Sequence, residues 1–227
     1  MLSGRTTLVG LIGNPVEHSL SPAMHNAAFA ARGLDWAYVP LLVEDGCVED
    51  AVRGLVALGF AGANVTAPHK AAAAAACETE LDSVNVLVVR SERVHGLSTD
   101  AAILDGLPAE RPAILGSGGA AAAFRAALPG ARVFSRRGDW PPDVAGADLV
   151  VNATSERDAV LCAVSEGQTL VDLPYPETAT AVAAREAGAT VVSGLDVLIA
   201  QGVASFELWT GVPAPVEVMR AAVGLEP

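Results

Sequence analysis

Short apolar runs, each broken by glycine, proline or polar residues, alternate along the chain with stretches of helical character. In the first half the runs predict strands near Leu8–Ile12, Trp36–Val43, Ala61–Val65 and Val84–Val89. Helices are expected between them at 22–32, 48–58 and 68–77. A second series begins after Pro108, with strands near Ala113–Leu115, Arg132–Ser135, Leu149–Asn152, Leu170–Leu173 and Thr190–Val192. Helices near 119–128 and 177–187 join parts of it, and the last stretch, Asp196–Trp209 and then 215–223, again reads helical. Such alternation is the pattern of an α/β protein, a largely parallel sheet covered by helices. The alanine run 71–76 continues a helix, because alanine is the best helix former. Two α/β units joined near residues 100–110 fit better than one continuous sheet.

Composition changes this picture little. Just over half of the 227 residues are apolar and only 18% are charged, so a sizeable core is available. A net charge of −12 argues against nucleic acid or an anionic membrane as partner. An anionic ligand would need a local cationic or amide-lined pocket working against that field. Cys47, Cys77 and Cys162 lie far apart with no metal-ligand spacing, so they read as small buried residues of a reducing compartment and no metal is expected. No basic leader precedes a long apolar stretch and no apolar run is long enough to span a bilayer, so a cytoplasmic protein is expected. Nothing in the pattern distinguishes a monomer from a homodimer.

The distribution of cations is more telling. Fourteen cationic side chains comprise thirteen arginines and one lysine, Lys70, which closes Asn64-Val65-Thr66-Ala67-Pro68-His69-Lys70. A guanidinium stays protonated, whereas an amine can act as acid or base, so position 70 is a candidate for proton transfer. Asn64 and Thr66 add hydrogen-bonding groups at the same strand end, Asn85 begins another strand, and Asp100 closes Gly96-Leu97-Ser98-Thr99-Asp100. In a parallel sheet such ends gather at one edge, where α/β ligand sites lie. Ser19 and Ser21, two apart in the loop before Pro22, can turn both hydroxyls to one carboxylate. Ser21 could instead serve as a helix N-cap.

In the second half Ile114-Leu115-Gly116-Ser117-Gly118-Gly119-Ala120-Ala121 follows a strand and opens a helix, matching GxGxxA. The first glycine permits a tight turn, the second lets amides approach a pyrophosphate, and the small third residue lets helix and strand pack closely. The next strand ends Phe134-Ser135-Arg136-Arg137, where an NAD site would place an acid. Serine and two arginines suit a 2′-phosphate, so NADP is the expected cofactor.

Taken together the residues resemble the shikimate dehydrogenase family. The segments GNPVEHSLSPAMHN, GANVTAPHK, SVNVLV, GLSTD, the GSGGA turn, SRR, VVNAT, VDLPYP and GLDVLIAQGVASFELWTG fall in that family's order. The resemblance implies a substrate domain at 1–104, a Rossmann NADP domain at 105–195, and helices over 196–227 returning to the first. It implies NADP-linked interconversion of 3-dehydroshikimate and shikimate. Ser19 and Ser21 would hold the carboxylate. Thr66, Asn85 and Asp100 would bind hydroxyls, Tyr175 and Gln201 would complete the pocket, and Lys70 with Asp100 would form the catalytic pair. Gly116, Ser117, Gly118, Gly119, Ala120, Ser135, Arg136, Arg137, Asn152, Thr154 and Gly194 would hold the cofactor. A quinate or aminoshikimate dehydrogenase, or a non-catalytic ligand-binding relative, is the alternative implied.

The chain departs from the family in places. Lys70 is only 15 residues from Asn85, Asp82-Ser83 and Val86 replace Gly-Ala and threonine around that asparagine, and Ser98 replaces another asparagine. Glu156-Arg157-Asp158 stands where a glycine is expected near the nicotinamide.

Overall fold

A computed structural model describes residues 2–226. Contacts divide the chain into two units: residues up to Thr99 together with those from Ile199 onward, and Asp100–Leu198. The family resemblance puts the changeovers at 104/105 and 195/196. By contact Asp100 belongs to the second unit.

The first unit runs β1 (Thr7–Gly13), α1 (Ser21–Ala31), β2 (Trp36–Leu42), α2 (Val48–Ala57), β3 (Phe60–Val65), α3 (Lys70–Ala75), β4 (Val86–Arg90) and β5 (Arg93–Leu97). Its sheet has the order β2-β1-β3-β4-β5. The β1 pairings with β2 and β3 are parallel, whereas β3–β4 and β4–β5 are antiparallel. The apolar pattern predicts no strand at β5. It forms through a tight hairpin whose two central residues, Ser91 and Glu92, both take positive φ (50° and 62°). Such turns usually announce themselves with Asn-Gly or Asp-Gly, and this one does not.

One sheet face packs Ile12, Val65 and Leu87 against Val52 and Leu55 of α2 and Ala73 of α3. Against α1 lie α7 (Val216–Ala222) and α6 (Gly194–Thr210), whose later part belongs to this unit. The rings of Phe29 and Phe206 stack 5.3 Å apart, and Met24 and Met219 are fully buried beside them. Each such burial contributes roughly 1.5–3 kcal/mol. Gly202 lets α6 come this close, since a Cβ there would sit 3.1 Å from Met24 Sδ and 3.2 Å from Met219 Cε.

The second unit contains a short 3-10 turn (Ala102–Leu104), β6 (Pro112–Leu115), α4 (Gly119–Ala127), β7 (Arg132–Phe134), β8 (Leu149–Asn152), β9 (Thr169–Asp172), α5 (Ala179–Glu186), β10 (Thr190–Val192) and the start of α6. Its sheet is parallel throughout, in the order β10-β9-β8-β6-β7. Every residue of β6, β8 and β9 is buried. Ile114, Leu149, Val151 and Val171 face α4 through Ala121 and Phe124. Ala113, Leu115, Val150 and Leu170 face the other way, onto α5 through Ala181 and Ala184. No helix joins β7 to β8 or β8 to β9. Val144, Ala147, Cys162 and Val164 from those irregular connections fill the space that crossover helices would cover. Among the described residues no helix is long and apolar enough to cross a membrane.

Candidate active site

In the first sheet β1 lies between β2 and β3, so the chain leaves β1 and β3 toward opposite sides. A crevice opens at such a switch point, beyond the C-terminal ends of the strands. Gly13 ends β1, and a Cβ on it would collide with the side chain of Thr66, just past β3. Ser19 follows on the β1–α1 loop and Ser21 opens α1, its amide donating to Ser19 Oγ at 3.3 Å. Ser21 is not the helix cap that its position before Pro22 allows. The N-cap position is Leu20, which offers no side-chain acceptor, and Ser21 is the first helical residue. Lys70 opens α3. The preceding His69 is buried, with Nε2 2.7 Å from the Val43 carbonyl, so that nitrogen carries the proton and pins the start of α3 to the end of β2.

Asn85 reaches the same edge because its strand runs backwards. Were β4 parallel to β3, its first residues would lie at the opposite edge. Antiparallel pairing (Asn64 opposite Val86, Val86 opposite Leu97) brings the start of β4 and the end of β5 beside the end of β3. The gathering expected of a parallel sheet is therefore achieved by reversal.

Behind this edge lies a network of neutral side chains. Asn85, 2% exposed, donates from Nδ2 to Thr99 Oγ1 (3.1 Å) and Gln201 Oε1 (3.0 Å), and its Oδ1 accepts from the Thr99 amide (2.7 Å). Asn64 donates to the Asn85 carbonyl and to Ser205 Oγ, each at 3.1 Å, and accepts from the Tyr38 hydroxyl at 2.9 Å. Both Asn64 amide hydrogens are thus engaged within the unit, so Asn64 acts as a brace for the edge. Tyr38 stacks on His25, centroids 4.7 Å apart at 7°. His25 is fully buried among Tyr38, Phe29 and Trp209, and neither ring nitrogen has a hydrogen-bond partner among the described residues. Burial lowers its pKa to about 3. The Trp209 indole donates to the Leu87 carbonyl at 3.0 Å, tying α6 to β4.

In the second sheet β6 lies between β7 and β8, again a switch point. Gly116 ends the strand with φ 119°, and a Cβ on it would fall 2.8 Å from the Ala153 carbonyl oxygen. Only glycine fits that turn. Gly118 precedes α4 with no side-chain cap and open space around it. A cavity of about 710 Å³ is lined by Gly116, Ser117 and Gly118, by Ser135, Arg136 and Arg137 past β7, and by Ala153–Asp158 past β8. Its size, glycine turn and two arginines fit a phosphate-bearing dinucleotide.

The structure thus brings Gly116, Ser117, Gly118, Ser135, Arg136, Arg137 and Thr154 together around one cavity. Gly119 and Ala120 begin α4 and do not line it. Asn152 is buried beneath, donating to Asp172 Oδ1 at 2.7 Å and accepting from Thr154 Oγ1 at 2.8 Å. Burial pushes the Asp172 carboxyl above its usual range, against the pull of hydrogen bonds from Asn152 and Thr178. Gly194 opens α6, where a Cβ would meet the backbone of Leu173 and Pro174. In this unit Asp100 is buried and Tyr175, just past β9, is half-buried.

Tyr38, Thr99 and Ser205 are parts of the first site that sequence reasoning missed. Tyr38 sits in an apolar strand and reads as core. Ser205 lies mid-helix with its hydroxyl on the Gln201 carbonyl (2.8 Å), one turn back. Only Thr99, between Ser98 and Asp100, carried a positional signal.

Comparisons with known proteins place these observations. Residues 11–87 match the model of a shikimate dehydrogenase substrate binding domain, and residues 194–223 that of a shikimate 5′-dehydrogenase C-terminal domain. The shikimate dehydrogenase (NADP(+)) of Anaeromyxobacter sp. (strain Fw109-5) is 41% identical over an alignment that covers 98% of each chain. A solved shikimate dehydrogenase in complex with NADP+ superposes with a TM-score of 0.89 at 29% identity, covering 98% of this chain and 96% of that one. The Thermus thermophilus enzyme in complex with NADP(H) and shikimate gives 0.85 at 29% identity, covering 95% and 98%.

Proposed function

The chain belongs to the shikimate dehydrogenase family, and on that premise we propose that it interconverts 3-dehydroshikimate and shikimate with NADP. The observation that carries this reading is the first-sheet edge, where paired serines, Thr66, Lys70 and the Asn85–Thr99–Gln201 network converge. Ser19 and Ser21 take the substrate carboxylate. Thr66 and Gln201 present hydroxyl-binding groups, and Asn85, whose amide hydrogens go to Thr99 and Gln201, holds Gln201 in place while Asn64 braces the edge. The second unit holds the dinucleotide, its pyrophosphate over Gly116–Gly118 and its 2′-phosphate at Arg136 and Arg137.

NADP, when bound, supplies or takes the hydride. The chain's part is the proton. In the reducing direction Lys70 Nζ donates to the oxygen that gains negative charge as hydride reaches carbon, and in the oxidising direction it removes that proton. Asp100, the other half of the pair that the family resemblance implies, would share the reacting oxygen, and Tyr175 would add a substrate contact. Three unpaired cysteines fit a reducing, cytoplasmic setting, and burial raises the Cys162 thiol to about 11, which keeps it unreactive.

The test is absorbance of reduced nicotinamide with purified protein, shikimate and NADP, alongside quinate and NAD. Reduction with shikimate and NADP alone is expected. Preference for quinate would reassign the substrate, and silence in every pairing from folded protein would refute the activity.

A further inference from the structure

The segment Glu156-Arg157-Asp158, where the family pattern has a glycine, lines the same cavity as the arginines read as phosphate ligands. The strands on either side of β6 end there, so the residues past β7 and past β8 both close over the glycine turn. Arg136 Nη2 donates to Glu156 Oε2 at 2.8 Å, while its guanidinium lies 5.9 Å from the centroid of the Trp140 ring. The other carboxylate oxygen, Oε1, accepts from the Asp158 amide at 3.3 Å. The Glu156 amide itself donates to Thr154 Oγ1 at 3.3 Å, and Thr154 is held by buried Asn152. The carboxylate is therefore fixed from its own backbone and rests on a guanidinium that stands in solvent, 68% exposed.

An exposed ion pair of this kind contributes little to stability. Its position is what matters. A carboxylate and a phosphate want the same planar donor set of Arg136, and both are anions. We propose that Glu156 is a specificity-determining residue that competes with the 2′-phosphate of the dinucleotide for Arg136, so that this chain discriminates NADP from NAD less strongly than Ser135-Arg136-Arg137 alone would. In the ligand-free protein Glu156 holds the guanidinium over Trp140. Binding of a 2′-phosphorylated nucleotide requires Arg136 to leave Glu156, and the carboxylate then repels the incoming charge. A nucleotide with a free 2′-hydroxyl meets no such competition.

This inference rests on Arg136 as the 2′-phosphate ligand, and the experiment separates the two. Calorimetric titration of the full chain with 2′,5′-ADP and with 5′-AMP reads binding without turnover. Glu156→Gln keeps the size and polarity of the side chain and removes its charge. It should tighten 2′,5′-ADP about five- to tenfold and leave 5′-AMP within about twofold, given that one charge-assisted contact is released. The gain should shrink to about twofold or less, the share left by direct repulsion across solvent, when Glu156→Gln is made on an Arg136→Ala background, since the competition for the guanidinium is then gone. Unchanged or weaker 2′,5′-ADP binding in Glu156→Gln would overturn the competition. So would a loss of 5′-AMP affinity, which would make Glu156 a ribose ligand. An Arg136→Ala protein that keeps the parent ratio between the two nucleotides would instead overturn the reading of Arg136.

Discussion

In the first unit the polar side chains behind the sheet edge are buried or half-buried, neutral and bonded to one another. In the second the charged groups around the cavity stand largely in solvent and pair across irregular loops. Asn85 at 2% exposure and Arg136 at 68% mark the two extremes. Removing a buried amide leaves its former partners unsatisfied, whereas removing an exposed charge returns its partner to water. The substrate side is thus hard to alter without loss of the fold, and the cofactor side can be retuned at little cost in stability. Glu156 is an example of such retuning.

The largest effect should come from the group on the substrate side that is proposed to move the proton. Lys70→Ala is expected to lower kcat about a hundredfold or more through lost proton transfer, with shikimate affinity changed only modestly. A variant with near-normal kcat would remove Lys70 from the mechanism. Next is the acid response of the buried side. His25 carries a folded-state pKa of about 3 against 6.5 when exposed. Its contribution is complete above pH 6.5 and is lost as pH falls toward 3, because only the unfolded chain takes up the proton. Between pH 7 and pH 4.5 the loss is on the order of 2–3 kcal/mol. Urea unfolding of His25→Phe and the parent at both pH values should show that the variant loses less by about that amount. Equal losses would mean the ring is solvated.

Asn85→Ala should cost about 2 kcal/mol or more of stability, since the Thr99 amide and Gln201 Oε1 are left without this partner in the interior. Arg136→Ala should move stability by less than about 0.5 kcal/mol while raising the KM for NADP about tenfold and that for NAD hardly at all. If Asn85→Ala proved silent and Arg136→Ala unfolded the chain, the contrast between the two sides would be wrong.

Most elements of both units can be read from the sequence because each apolar run stands in local view. Caps were less legible: the serine before Pro22 does not cap α1, whereas Thr178 caps α5 with its hydroxyl accepting from the Ala181 amide. Strand β5 escaped because Ser91-Glu92 turns the chain without glycine or asparagine. Strand direction escaped too, and it decides how Asn85 comes to lie near Thr66. The motif residues of the cavity were visible as a glycine turn and an arginine pair. Glu156 was visible only as a departure from the family pattern, since nothing local tells that position 156 meets position 136. Tyr38, Asn64 and Ser205 form their bonds across 26 and 141 positions, a distance at which side-chain type carries no signal.

One feature of connectivity orders events during synthesis. The first unit is built from both parts of the chain, and its closing bonds, Asn85 to Gln201 and Trp209 to Leu87, span 116 and 122 residues. All of Asp100–Leu198 is synthesised before α6 is complete. The nucleotide-holding unit can therefore consolidate as a unit of its own, while the edge that grips the substrate must wait for α6. A chain ending near residue 200, carried clear of the ribosomal exit tunnel by a C-terminal linker, would be expected to retain 2′,5′-ADP on an affinity resin and to leave the first sheet open to protease.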